Sequence, residues 1–427
     1  MDRAVWTNAR RLQSWPAPAL SQAIAQKGSS AAATRFVSRH PIHDRELRAC
    51  GYELRFHGEA QISDETAAAA TAIVSTVADI GLDALVGNRR AWLSATRTLI
   101  CSDTLMLLPA DRVTIQVGRT VAGGPDVVTH LSRLRSKGYR VALTDVVVRD
   151  DVLPLLDAVD AVKIDVSGLT DEQLQSQIQL LAGRELEIVA QTVDSRDRYD
   201  ACVAAGFDRF HGDFFCEPHA VAGRGVPAGR AAQMQLLSAL QDPGAGLEEI
   251  EQAIRLDVGV GFRLLRFINS AYFSLPRRVS SVHEALVLLG VHNVRNWALL
   301  MTFSSMEDRP AELTRTATTR AQMCERLARR LGRPDPEAYF TAGLFSVLDA
   351  FMGMRMEDAL ASLPLAEPLQ DALLRCEGPL GEVLGWVLRY EAGDDPPAGT
   401  PASTSELLGR AYLEALQFAD TVSIAAA

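Results

Sequence analysis

Between about residues 34 and 218, short apolar runs alternate with helical stretches. This alternation limits the fold of the 427-residue chain more than any other feature. Eight runs read as strands: 34–39, 50–56, 91–95, 112–117, 140–145, 160–165, 187–192 and 208–212. The last six are joined by helical segments, which makes them parallel. Only His40-Pro41-Ile42-His43-Asp44 and a short charged stretch separate the first two. No crossover helix fits there, so that pair is expected to be antiparallel. The spacing predicts a (β/α)8-type barrel with one irregular start. Such barrels carry their chemistry at the C-terminal ends of the strands. At three of those ends this chain places Gln116, Thr144 and Gln191, which are polar but uncharged.

Three glycines and a proline within residues 219–229 break the periodicity, and the linker is set at 223–229. Beyond it, apolar residues recur at helical spacing over 235–240, 247–256, 259–269, 283–289, 294–305 and 405–424. The expected class is therefore α/β plus all-α: an N-terminal extension over 1–30, a barrel over 31–222 and a helical domain over 230–427. The net charge of −10 argues against a nucleic acid polymer as partner. Six scattered cysteines without a CxxC pair suggest reduced thiols and a cytoplasmic location. No run reaches the roughly 18 apolar residues of a membrane span, so membrane insertion is not expected. Residues 1–30 lack a basic start followed by an apolar core, which argues against a signal peptide.

The barrel half resembles the EAL domain of cyclic di-GMP phosphodiesterases. The resemblance is carried by Gly51-Tyr52-Glu53-Leu54, Val162-Lys163-Ile164-Asp165 and Phe207-Asp208-Arg209-Phe210-His211-Gly212-Asp213. The helical half resembles the HDOD domain, an HD-like helical fold without the metal dyad. Its carriers are Leu264-Leu265-Arg266-Phe267-Ile268-Asn269 and the run from Val279 to Gly290. Ala342-Gly343-Leu344-Phe345-Ser346-Val347-Leu348-Asp349 is characteristic of proteins that fuse the two, the EAL-HDOD family of bacterial signalling proteins.

Phosphodiester hydrolysis on the EAL fold uses two divalent cations, which call for clustered carboxylates. The resemblance implies retained site positions at Glu53, Asp145, Lys163 and Asp165, and a shorter acid at Asp194. It implies substituted ones at Ser94, Gln116, Thr144, Gln191 and His211. Three expected charges are missing, so neither a metal nor another cofactor is expected. Glu53, Asp145 and Lys163 are expected to form an internal ion-pair network closing the barrel mouth. Any nucleotide bound there would draw on Lys163 and Arg140. In the helical half, Ser346 and Val347 stand where an HD dyad would be. His283 and His292, nine apart, read as capping or core histidines. The function implied is a non-catalytic scaffold that recruits protein partners in cyclic di-GMP-linked behaviours such as motility, adhesion or virulence. Two alternatives stay open: a receptor that binds cyclic di-GMP without cleaving it, and a weak phosphodiesterase.

Overall fold

The computed structural model describes residues 36–57, 74, 77, 80–122, 125–149, 152–217, 228–242, 244–255, 257–270, 273, 278–304, 306, 309–394 and 402–426. The extension expected over 1–30 lies outside the described residues, as does the linker up to residue 227. Residues 228 and 229, expected in that linker, instead open the helix Ala228–Gln241.

Eight strands close into one barrel in sequence order. They are β1 (Phe36–His43), β2 (Ala49–His57), β3 (Arg90–Ser94), β4 (Val113–Gly118), β5 (Arg140–Val146), β6 (Ala161–Asp165), β7 (Glu187–Gln191) and β8 (Arg209–His211). β1 runs antiparallel to both β2 and β8, and all other pairs are parallel. The expected antiparallel start is present but displaced. Residues 40–43, expected in the turn, belong to β1, and the turn is confined to 44–48. Asp44 holds that turn, its carboxylate accepting from the backbone N–H groups of Glu46 (3.0 Å) and Arg48 (2.9 Å).

A hairpin has no crossover helix, so the outer face of β1 and β2 lacks the cover that helices give the other strands. The helical domain supplies it. Tyr390 Oη donates to the Val37 carbonyl (3.1 Å), and Tyr412 Oη accepts from the Arg39 N–H (3.1 Å). Tyr52 Oη donates to Glu312 (3.0 Å), and the Arg39 guanidinium lies 4.6 Å over the Tyr52 ring. Tyr52 is fully buried. Burial and the neighbouring Glu312 carboxylate push its phenol above the ordinary range. The two halves therefore share one continuous apolar core.

Within the helical half, Ala311–Arg330 is the central helix, crossed by Pro336–Phe345 and flanked by Gly378–Ala392 and Ala402–Ala426. The first crossing depends on Gly343. A Cβ there would lie 2.4 Å from the Arg320 carbonyl oxygen, closer than van der Waals contact allows. Among the described residues, no helix is long and apolar enough to cross a membrane.

Candidate functional site at the barrel mouth

Lys163, the middle residue of β6, points into the barrel and is fully buried. Its ammonium donates to Glu53 Oε2 of β2 and to Gln116 Oε1 of β4 (2.8 Å). Gln116 Nε2 in turn donates to Ser94 Oγ of β3 (3.4 Å). Glu53 Oε1 accepts from Arg55 Nε (3.1 Å), and His211 Nε2 of β8 lies 3.8 Å from Glu53 Oε2. Residues from five of the eight strands thus meet around one carboxylate. Burial alone would push the Glu53 carboxyl up. The Lys163 ammonium, and then the Arg55 guanidinium, outweigh it and hold the group well below the usual carboxylate range. His211 moves in the disfavoured direction. Burial, and then Lys163, press its pKa well below that of free imidazole, and its buried Nδ1 finds no partner among the described residues.

Asp145 does not join this set, contrary to expectation. β5 carries an irregularity between Leu143 and Val146, where two residues oppose the single step from Val162 to Ile164 on β6. Asp145 takes the extra position with φ +57°, a conformation more accessible to Asp than to most residues. The bulge turns its carboxylate outward, where it is exposed and accepts from Gln191 Nε2 (2.7 Å). Gln191 Oε1 accepts from Thr144 Oγ1 (3.1 Å). The substituted positions therefore form two closed sets, an inner one on Lys163 and an outer one on Gln191.

The other expected residues are dispersed. Asp165 accepts from the Ser167 N–H (3.0 Å) and caps its own loop. Asp194 is exposed. Close to it stands Glu217, an acid that the sequence gave no reason to single out. Burial, then the Asp194 charge, push its carboxyl up to about 7. Arg140 cannot assist a ligand at the mouth. It opens β5 at the opposite end of the barrel and is bound to Glu187 (2.9 Å). His283 is an exposed partner of Glu251 (2.8 Å), neither a core residue nor a cap, and His292 is also exposed.

These residues do not fit a pair of divalent cations. Glu53 is the one carboxylate inside the mouth set, and it is already bound by Lys163 and Arg55. Gln116 turns its oxygen to the same ammonium. Among the described residues, no three His, Cys, Asp or Glu side chains converge as a metal site would require.

In the helical half, Val347 is buried and Ser346 Oγ donates to the Gly343 carbonyl (2.7 Å). Arg320 Nη1 donates to Ser346 Oγ (3.2 Å), while Arg320 Nε donates to Glu391 (2.6 Å). Periodicity gave no sign of Arg320. It sits on the buried stripe of its helix, where an apolar residue would be expected.

Comparison with known proteins places these observations. Residues 226–366 match the HDOD domain. The Bacillus subtilis protein YuxH is 25% identical over 398 residues, covering 90% of this chain and 97% of that protein. The cyclic di-GMP phosphodiesterase CdgJ of Vibrio cholerae is 28% identical over 370 residues, covering 84% of this chain and 86% of that protein. Both relationships extend across the two halves. Among solved structures, Klebsiella pneumoniae BlrP1 in a calcium and cyclic di-GMP complex superposes with a TM-score of 0.37 at 17% identity. The match covers 42% of this chain and 55% of that one, so the chain spans about half the length of BlrP1. The FimX EAL domain of Pseudomonas aeruginosa bound to cyclic di-GMP gives 0.35 at 15% identity, covering 42% of this chain and 89% of that one. An eight-stranded barrel followed by an HDOD domain is the order the resemblance implied.

Proposed function

We propose that this chain is a non-catalytic signalling protein whose joined barrel and helical domain serve as a regulatory protein–protein interaction scaffold. The setting is cyclic di-GMP-linked behaviour such as motility, adhesion or virulence, a context supported by the relation to CdgJ. One observation carries the reading. A buried ammonium, Lys163, is bound to the one carboxylate of the inner mouth set, with Gln116 completing its shell. Two divalent cations a few ångströms apart repel strongly, and only several carboxylates offset that repulsion in a partly dry cleft. Here Gln116, Thr144 and Gln191 offer neutral oxygens that are already bonded to each other or to Lys163.

The test is turnover of cyclic di-GMP with Mg²⁺ or Mn²⁺, alongside calorimetry. No product and no heat are expected. Micromolar binding without product would convert the scaffold into a receptor. Product formation that disappears in Glu53→Gln would overturn the proposal in favour of a phosphodiesterase. A gain-of-function arm makes a negative result informative. The triple variant Gln116→Glu, Thr144→Asp, Gln191→Glu should acquire a Mn²⁺-dependent rise in Tm that the parent protein lacks.

A further inference from the structure

Arg55 stands on β2 two residues after Glu53 and on the same face, so both side chains meet at the barrel mouth. Its guanidinium has partners in both halves of the molecule. Nε donates to Glu53 Oε1 (3.1 Å), and Nη1 donates to the carbonyl of Ala392 (3.4 Å), the last residue of helix Gly378–Ala392. The second contact is long, but the stem of Arg55 packs there as well. A Cβ at Gly393 would lie 3.5 Å from Arg55 Cδ.

The end of a helix is a place where a guanidinium counts, because the last carbonyls have no partner within the helix. Gly393, in the left-handed region at φ +86°, turns the chain there. Its own N–H then meets the Tyr390 carbonyl (3.2 Å), and the Asp394 N–H meets the Arg389 carbonyl (3.0 Å). The Ala392 carbonyl takes its donor from the barrel instead. A cation also suits the negative end of the helix dipole.

Glu391, the residue before Ala392, accepts from Arg320 Nε (2.6 Å), while Arg320 Nη1 donates to Ser346 Oγ (3.2 Å). Arg55 thus stands between the carboxylate of the barrel mouth and the buried pair beside the HD-equivalent position. The junction is not filled. A cavity of about 110 Å³ lies there, and the charges on its walls balance: Arg39, Arg315 and Arg320 against Asp213, Glu312 and Glu391. Close-packed interiors resist small shifts, so this void marks where the helix end has room to move.

We propose that Arg55 couples the charge state of the barrel mouth to the end of helix Gly378–Ala392, and so to the Glu391–Arg320 pair. While Glu53 is ionised, it holds the guanidinium where it caps the helix. When that charge is removed or drawn elsewhere, the Lys163 ammonium is left unanswered and repels Arg55. The cap is then released and the last turn of the helix opens. By linkage, loosening the helix end weakens the hold on Glu53 to the same degree. The regulatory use of this link rests on the scaffold reading. The link itself belongs to the chain alone and is tested without nucleotide or partner, so the two can fail separately.

The test is amide hydrogen exchange of the full-length protein, read at residues 391–394, with the buried helix Ala311–Arg330 as the reference for global stability. Glu53→Gln should speed exchange at 391–394 by at least about threefold more than at the reference. Arg55→Met should do the same. Adding Glu53→Gln to Arg55→Met should then change exchange there by no more than about 1.5-fold. If Glu53→Gln fails to fold, the pair Glu53→Gln, Lys163→Met takes its place, since it too leaves Arg55 without its carboxylate. Unchanged exchange at 391–394 on loss of Glu53 would overturn the proposal. So would an acceleration of equal size with and without Arg55, because the signal would then cross the junction by another route.

Discussion

In each half of the molecule a side-chain cation sits close to the place where the resemblance would put metal chemistry, and the two cations are held differently. Lys163 in the barrel has no exposed surface, and its carboxylate partner is answered by Arg55 as well, with His211 nearby. Arg320 in the helical domain is nearly as buried, but among the described residues it is the one cation paired with Glu391. The consequence shows in the carboxyl groups. Glu53 is held well below its ordinary range, whereas burial pushes Glu391 up despite Arg320. A buried charge is stabilised by the number of groups that answer it, and one partner does not offset the loss of water. On acidification, Glu391 is therefore expected to lose its charge before Glu53, which carboxyl-resolved NMR titration checks.

The largest effect tests the inner barrel set. Lys163→Met strands Glu53 in the barrel and should cost about 3–5 kcal/mol, as breaking a buried pair from one side does. Adding Glu53→Gln removes the stranded charge and should recover most of that loss in urea unfolding. Arg320→Met is the counterpart in the helical half. It should cost less, because Glu391 is already the weaker ionised group. If Arg320→Met proved the costlier of the two, the contrast drawn from the carboxyl groups would fail.

Next in size is an acid sensitivity at the junction of the halves. His43 is fully buried, and neither ring nitrogen finds a partner among the described residues. Its ring packs against Phe214 and Phe215. Burial lowers its pKa from 6.5 to about 4, against the smaller upward pull of Glu312 and Asp44. The unfolded chain therefore binds the extra proton first as pH falls. Stability is fully present above pH 6.5 and declines towards pH 4. At about 1.4 kcal/mol per pKa unit the loss is about 3 kcal/mol. His43→Phe should flatten the Tm profile across that window, and a variant that kept the full slope would assign the sensitivity elsewhere.

How legible the molecule was depends on what kind of order each feature obeys. The strands followed from hydrophobic alternation, and the antiparallel start followed from a connection too short for a helix. The boundary of β1 did not follow. His40-Pro41-Ile42-His43 looks like a turn, but β1 lies between two neighbours and the closing barrel draws those residues into it. At the mouth, the pairing of Glu53 with Lys163 was readable because the two were expected to face the barrel interior. The departure of Asp145 was not, since a bulge is a property of strand register and leaves no mark in the order of apolar and polar residues. Arg320, Glu391 and Glu312 were missed because each takes part in a contact between segments far apart in sequence.

A smaller effect separates the shared core from the sites. Tyr52→Phe removes the hydroxyl that joins the barrel to Glu312 and leaves that buried carboxylate one donor short. It should cost about 1–3 kcal/mol, and proteolysis near the junction should quicken without any change in the titration of Glu53. A cost near zero would show that the aromatic packing holds the halves together without this hydrogen bond.

The smallest effect concerns the outer mouth set. Thr144 Oγ1 makes one hydrogen bond, at 3.1 Å, to a Gln191 side chain that is partly open to water. Thr144→Val keeps the shape and removes that bond, so the expected loss is about 0.5–1.5 kcal/mol. Gln191 keeps its bond to Asp145, and water replaces the lost partner. Among the described residues the inner set shares no hydrogen bond with this one, so the two should be additive. The double variant Thr144→Val, Lys163→Met should fall short of the parent by the sum of the single losses within about 0.5 kcal/mol. A larger coupling would mean that the two rings act as one unit, and the mouth would then have to be treated as a single network that the bulge at Asp145 does not divide.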